Sequence, residues 1–354
     1  MLYGATGYTG RLIAEEAVSR GHRPVLAGRS AEKLAPLAER LGLQWRAFGL
    51  EDPAAVRAGL EGMSAVLHAA GPFTRTSRPM VDGCLSVGAH YLDITGEVPV
   101  FVEIFSRDAE ARAAGVCLLP GVGFDVVPSD CLLAHVSARV GGARTLELAL
   151  AAVGKPSGGT ARSAVELLPR GNLERRDGRL VQVPFLRDAR EIPFPGRTAW
   201  ALPSPLADLE TAAHSTGAVD IRTWLAVAAR VGQAVNSPLT GPLLRAGLGL
   251  LRGAMRLEPV KRAVGAAVHG ANEGPDARAR AQGKSFLWAR AEGAGGRTAE
   301  ATLVTLEGYE LTKLASVRAV EAVLGAGVSG ARTPSQVMGV DAVLALPGTE
   351  RADR

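Results

Sequence analysis

The chain opens on Gly4-Ala5-Thr6-Gly7-Tyr8-Thr9-Gly10, three glycines set between a short apolar run and a helical pattern, and no other stretch limits its fold as tightly. Leu2-Tyr3 read as the end of a strand, and Thr9 to Arg20 as a helix stopped by Gly21. Glycines at this spacing let the backbone reverse sharply and let a pyrophosphate approach it. The helix that follows offers unpaired N–H groups and a partial positive charge. An ordinary tight turn also uses glycine, but the strand–turn–helix context favours a dinucleotide site.

Arg23 to Gly28 reads as a second strand. A site built for NAD commonly ends this strand on an acid that bonds the ribose 2′-hydroxyl. Here the place is held by Arg29, then Ser30, with Lys33 one helical turn on. Guanidinium and ammonium groups suit a 2′-phosphate, which an aspartate would repel, so the expected cofactor is NADP(H). The competing reading makes Ser30 a helix cap beside solvated cations; a capping serine can also bind phosphate.

Strands and helices then alternate. Ala31 to Leu41 reads as a helix, Gln44 to Phe48 as a strand, and Asp52-Pro53 as the cap and first residue of a helix to Leu60. Ser64 to Ala70 is a buried-type strand ending where Ala70, Gly71 and Pro72 could lie along a ligand. Helices are expected over Ser77–Val87 and Pro99–Ala114, with strands at Tyr91–Asp93 and Val116–Leu119. This alternation predicts a Rossmann-type, doubly wound parallel sheet in an α/β fold, with ligands beyond the C-terminal strand ends. After Asp125 the pattern changes. Leu146–Val153, Thr198–Leu202, Phe286–Glu292 and Thr298–Leu306 suggest a mostly antiparallel second sheet, with helices over Thr160–Leu168 and Ile221–Val231. The expected organisation is a cofactor domain over 1–125, an inserted α+β substrate and dimerisation domain over 126–307, and a helix and tail over 308–354 returning to the first.

Composition excludes several classes. The net charge of +5 comes almost wholly from arginine, and with aromatics at 5% there is no basic–aromatic interleaving for nucleic acid. Cys84, Cys117 and Cys131 lack metal spacing and read as reduced core thiols, and the histidines are unpaired, so no metal is expected. No apolar run reaches the ~18 residues of a membrane span and no secretory leader is visible, so the expected location is cytoplasmic. Leu244, Leu248, Leu251 and Met255 share a helical face beside Arg245, Arg252 and Arg256. A helix packed on the second sheet with a basic edge is the favoured reading; peripheral membrane contact, a carrier surface or an acyl cleft are the others.

With Ala27-Gly28-Arg29, Tyr91 to Glu97 (YLDITGE), Gly123 to Asp130 (GFDVVPSD), the GYELT from Gly308 and the RTPSQVMG from Arg332, the chain resembles the saccharopine dehydrogenase-like oxidoreductases, and most of all the bacterial trans-acting enoyl reductases. The resemblance implies a homodimer formed through the second sheet, and NADPH-dependent reduction of a C=C bond in a lipid or polyketide intermediate, as in glycolipid biosynthesis, with a small-molecule or carrier-bound acyl substrate. Other members of the broader family act on amino-acid-derived imines, the alternative reaction; a non-catalytic NADP-sensing regulator is a third reading. Family members carry several more apolar residues before the glycine turn, whereas this chain starts at Met1-Leu2-Tyr3 and leaves a three-residue central strand.

The cofactor residues expected are therefore Gly4, Thr6, Gly7, Tyr8, Thr9, Gly10, Arg29, Ser30, Lys33, Ala70, Gly71 and Pro72. For proton supply and carbonyl polarisation the candidates are Tyr91, Asp93, Asp125 and Ser129, polar residues at strand ends or in the motif loop. Each also has a structural reading: Ser129 can start the helix to Arg139, and Asp93 can tie down its own turn. Tyr309 and Lys313 match a Tyr-x-x-x-Lys pair by spacing, but opening the final helix they read as helix surface and core.

Overall fold

In the computed structural model, which describes residues 1–152, 171–255, 257, 260, 263 and 274–354, Leu2 and Tyr3 point to opposite sides of a parallel sheet. They form β1 (Leu2–Tyr3), flanked by β2 (Leu26–Gly28) and β4 (Ala65–His68). With β3 (Trp45–Ala47), β5 (His90–Asp93), β6 (Cys117–Leu119) and β15 (Gly330–Ala331), the strand order is β15-β6-β5-β4-β1-β2-β3. The chain winds outward from β1 in both directions, which opens a crevice at that strand's C-terminal end.

Alternating side chains make two cores. Leu2, Leu26, Leu34 and Leu119 pack with α1 (Tyr8–Ser19), α2 (Ala31–Leu41) and the late helix α12 (Gly308–Ala326). Tyr3, Val56, Met80 and Leu118 pack with α3 (Pro53–Leu60), α4 (Phe73–Val87) and α5 (Val98–Ser106). Asp52 caps α3 as expected, its Oδ1 accepting from Ala54 N at 2.9 Å. The helix expected over Pro99–Ala114 is instead two, α5 and α6 (Asp108–Ala113), because Arg107 closes the first and its guanidinium turns to Glu110. Helix α4 starts at Phe73, ahead of the expected Ser77, because a distant carboxylate, Glu97, satisfies its first N–H groups.

The chain divides into two units, one of residues 1–127 and 308–346, the other of 128–307 and 347–354. After α7 (Val127–Arg139), the second holds a mixed sheet ordered β10-β11-β12-β7-β13-β14-β16. These strands are β7 (Ala143–Ala152), β10 (Arg190–Phe194), β11 (Arg197–Pro203), β12 (Asp220–Ala226), β13 (Lys284–Gly293), β14 (Thr298–Leu306) and β16 (Glu350–Asp353); β8 (Asn172–Arg176) and β9 (Arg179–Val183) form a side hairpin. Between them lie α8 (Asp208–Thr216), α9 (Ala229–Asn236), α10 (Thr240–Ala254) and α11 (Ala277–Gln282); α13 (Pro334–Met338) belongs to the first unit.

Two expectations fail here. Ile221–Val231 is not one helix: Asp220–Ala226 is a strand paired in parallel with β7, and a helix begins only at Ala229. Buried Ile221 and Thr223 alternate with exposed Arg222, and β-branched and aromatic side chains favour the extended form beside a ready partner strand. The tail does not return whole to the first unit either, since Glu350–Asp353 pairs antiparallel with β14 in the second sheet. The Thr160–Leu168 helix, Val153 and Arg256 lie outside the described residues.

Candidate cofactor site

The opening turn has no room for side chains. A Cβ on Gly10 would stand 2.2 Å from Gly4 O, and one on Gly4, whose φ is +86°, would stand 2.8 Å from the Ala69 and Ala70 backbone. Glycine is therefore required at both positions, and the turn after β1 lies directly against the turn after β4. Gly7 caps α1 without a side-chain bond, leaving the helix N-terminus open to an anion. Gly4, Thr6, Gly7, Tyr8, Thr9 and Gly10 thus share one strand end with Ala70, Gly71 and Pro72.

Beside this turn is an open recess of about 390 Å³ lined by Thr6, Arg11, Lys33, Pro36, Leu37 and Arg40. Lys33 is in it as the sequence suggested, but its cationic neighbours are Arg11 and Arg40 rather than Arg29, which stands exposed at the end of β2. Arg40 is partly answered by Glu15 at 2.9 Å. Ser30 is the N-cap residue of α2 but makes no capping side-chain bond. Arg11 and Arg40 escaped the sequence reading; the usable signal was a cation one turn into α1 and another in the last turn of α2.

Tyr91 and Asp93 lie on β5, and Asp125 follows β6. Asp93 is fully buried; its Oδ1 accepts from Thr95 N at 3.0 Å and Gly121 N at 2.9 Å, and its Oδ2 from Tyr91 OH at 2.7 Å. Burial pushes its carboxyl up to about 6, against the pull of those three donors. Tyr91, also buried, is raised well above its ordinary value by burial and by Asp93, and its hydroxyl lies 3.4 Å from His68 Nδ1. Burial drives His68 down to about 3, so its ring is neutral at ordinary pH. Tyr91 and Asp93 are in this way engaged with each other and with the turns around them. Ser129, 4% exposed, lies in the first turn of α7.

Asp125 alone of the four is exposed. Atoms crowded around it still displace enough water to push its carboxyl up to about 6. A Cβ on Gly96 would stand 2.9 Å from its Oδ2, so the YLDITGE and GFDVVPSD segments meet here. Phe124 N donates to Thr312 Oγ1 at 3.0 Å, and the Tyr309 ring meets Tyr8 edge-on at 5.0 Å, which brings GYELT and the glycine turn into the same neighbourhood. Lys313 pairs with Glu310. Segments scattered over the sequence therefore converge on one end of the first sheet. Among the described residues no cluster of His, Cys, Asp or Glu could hold a metal, and no helix is long and apolar enough to cross a membrane.

Residues 4–89 match a family described as NAD(P)H-binding. A trans-acting enoyl reductase of Mycobacterium leprae is 36% identical over 161 residues, which is 42% of this chain and 37% of that protein. A Mycobacterium tuberculosis protein also named as a trans-acting enoyl reductase is 32% identical over 203 residues, 52% of this chain and 48% of its own length. The chain thus spans about half the length of the curated relatives it matches, or less. Apo saccharopine dehydrogenase (L-Glu forming) of Saccharomyces cerevisiae superposes with a TM-score of 0.61 at 14% identity, covering 100% of this chain and 99% of that one. At that identity the likeness concerns the fold. Residues 4–89 thus belong to an NAD(P)H-binding Rossmann sheet, and the chain shares the fold of saccharopine dehydrogenase.

Proposed function

We propose that this chain is an NADP(H)-dependent reductase that saturates a carbon–carbon double bond next to a carbonyl in a lipid or polyketide intermediate. The observation that carries the cofactor choice is the recess in which Arg11, Lys33 and Arg40 stand beside the glycine turn, Arg40 being paired with Glu15. A 2′-phosphate brings two negative charges that NAD lacks, and three cations in one recess favour it through charge-assisted bonds. The reaction is supported by the enoyl reductase names of relatives 32% and 36% identical over the matched segments.

A bound nicotinamide supplies the hydride for the carbon remote from the carbonyl. The chain's own residues then have to orient the substrate and deliver a proton to the neighbouring carbon. Asp125 suits proton delivery: it is exposed, and with its carboxyl raised to about 6 it holds a proton about one-tenth of the time at pH 7, against far less for an ordinary carboxylate. Tyr91 and Asp93 act as positioning residues, fixing the Thr95 and Gly121 turns on which Asp125 rests. The full-length likeness to saccharopine dehydrogenase supports a second reading, a dehydrogenase of an amino-acid-derived imine.

The test is NADPH oxidation by the purified chain against a panel of enoyl thioesters and a panel of amino-acid/keto-acid pairs. Turnover of enoyl thioesters alone supports the reductase, and turnover of the second panel alone replaces it with the imine reading. Silence on both panels with tight NADPH binding points to a non-catalytic sensor.

A further inference from the structure

Helix α12 returns to the first unit late in the chain, and its first turn is fixed by the loops that follow the strands. Thr312 Oγ1 accepts from Phe124 N at 3.0 Å, and a Cβ on Gly308 would stand 3.1 Å from the Phe124 ring. A Cβ on Gly123 would likewise stand 3.1 Å from the Thr312 side chain. The segment after β6 therefore holds this turn closely. The same turn reaches the start of α1: the half-buried Tyr309 ring meets half-buried Tyr8, the first residue of that helix, edge-on at 5.0 Å and 86°. Spacing in the sequence reads Tyr309 as helix surface and core; the ring contact gives it a different place.

A dinucleotide crosses the strand ends of such a sheet, with its pyrophosphate at the first helix N-terminus and its two halves to either side. The recess between α1 and α2, lined by Thr6, Arg11 and Lys33, takes the phosphorylated adenosine half. The nicotinamide half then extends the other way, from the start of α1 toward the loops after β5 and β6. The first turn of α12 touches both of these places. We propose that Tyr309, in contact with Tyr8, is a cofactor-contacting residue whose ring packs against the nicotinamide half. An aromatic ring suits that role because it offers a rigid, flat, largely apolar face to a planar group. The assignment rests on the NADP(H) reading above. It draws on place and not on the Tyr-x-x-x-Lys spacing, since Lys313 pairs with Glu310.

Calorimetric titration with NADPH and with adenosine 2′,5′-bisphosphate, which lacks the nicotinamide half, tests it. Tyr309→Ala should bind NADPH about tenfold more weakly and bind the bisphosphate as the unsubstituted chain does. Tyr309→Leu keeps apolar bulk without a flat ring and guards against a poorly folded alanine variant; it should lose affinity in the same selective way. Tyr309→Phe should keep both affinities. The fluorescence of bound NADPH, which reports the surroundings of the nicotinamide, should change in the alanine and leucine variants and persist in Tyr309→Phe. Undiminished NADPH affinity in Tyr309→Ala and Tyr309→Leu overturns the assignment. So does an equal loss of both ligands in those variants, which would mark a structural role. Either result leaves the NADP(H) reading standing. An unsubstituted chain that binds neither ligand overturns that reading, and the assignment with it.

Discussion

In the first unit, Asp93 and Glu97 direct buried carboxylates at backbone N–H groups: Asp93 holds Thr95 and Gly121, and Glu97 holds Phe73 and Thr74 at 3.0 and 2.8 Å. In the second, the partners are arginines. Glu147 pairs with Arg190 at 3.0 Å, whose guanidinium also lies over Trp224 at 4.5 Å and Trp288 at 5.3 Å, and Glu174 is met by Arg176 and Arg187. A carboxylate bonded to main chain fixes where a loop runs; one bonded to a guanidinium ties side chains of neighbouring strands. The first arrangement suits an edge that must present backbone to a ligand, the second a sheet that must hold its shape.

The sharpest contrast between the units is one methyl group. Gly10→Ala drives a Cβ into Gly4 O and should cost about 3 kcal/mol and abolish dinucleotide binding. Gly247→Ala in α10 meets nothing within 4 Å and should stabilise the chain by about 1 kcal/mol. Scanning calorimetry of the pair, with a nucleotide titration of the first, checks both signs.

The buried carboxylates differ next in their response to pH. With its carboxyl raised to about 6, folded Asp93 retains a proton that the unfolded chain has already released. Its favourable contribution is present below the ordinary value of 3.8 and is lost as pH rises through about 6, a change of about 3 kcal/mol. In Asp93→Asn that component should vanish, so urea unfolding curves of wild type and variant should diverge between about pH 4 and pH 6. Parallel curves would remove Asp93 from the account.

For the second unit, Glu147→Ala strands Arg190, which keeps 35% of its side chain exposed, and should cost about 1–2 kcal/mol after solvent screening. Arg190→Met keeps a stem packed on the tryptophans but leaves Glu147, only 13% exposed, without its partner, and should cost at least as much; neither change should alter nucleotide affinity. The smallest effect is expected at Asp52→Ala, where loss of the α3 cap should cost about 1 kcal/mol by denaturant titration.

Local chemistry made the first unit legible in sequence. The glycine turn, the Asp52-Pro53 cap and the short apolar runs each carry their own signal. What stayed hidden depends on contacts distant in sequence. Glu97 sets the start of α4 from 24 residues away, and Arg11 reaches the recess only because α1 and α2 lie side by side. In the second unit, Asp220–Ala226 owes its strand form to β7, and Glu350–Asp353 owes its place to β14. The exposure of Leu243 and Leu250 on α10 was hidden because the adjacent leucines satisfied a helical pattern equally well.

The account rests on a cationic recess selecting the phosphorylated cofactor, and calorimetric titration of the chain with NADPH and NADH tests it most directly. NADPH should bind about tenfold or more tightly, and Arg11→Ala/Lys33→Ala should erase that preference while leaving NADH affinity nearly unchanged. Equal affinity for the two cofactors in the unsubstituted chain, or a preference that survives the double substitution, would contradict it.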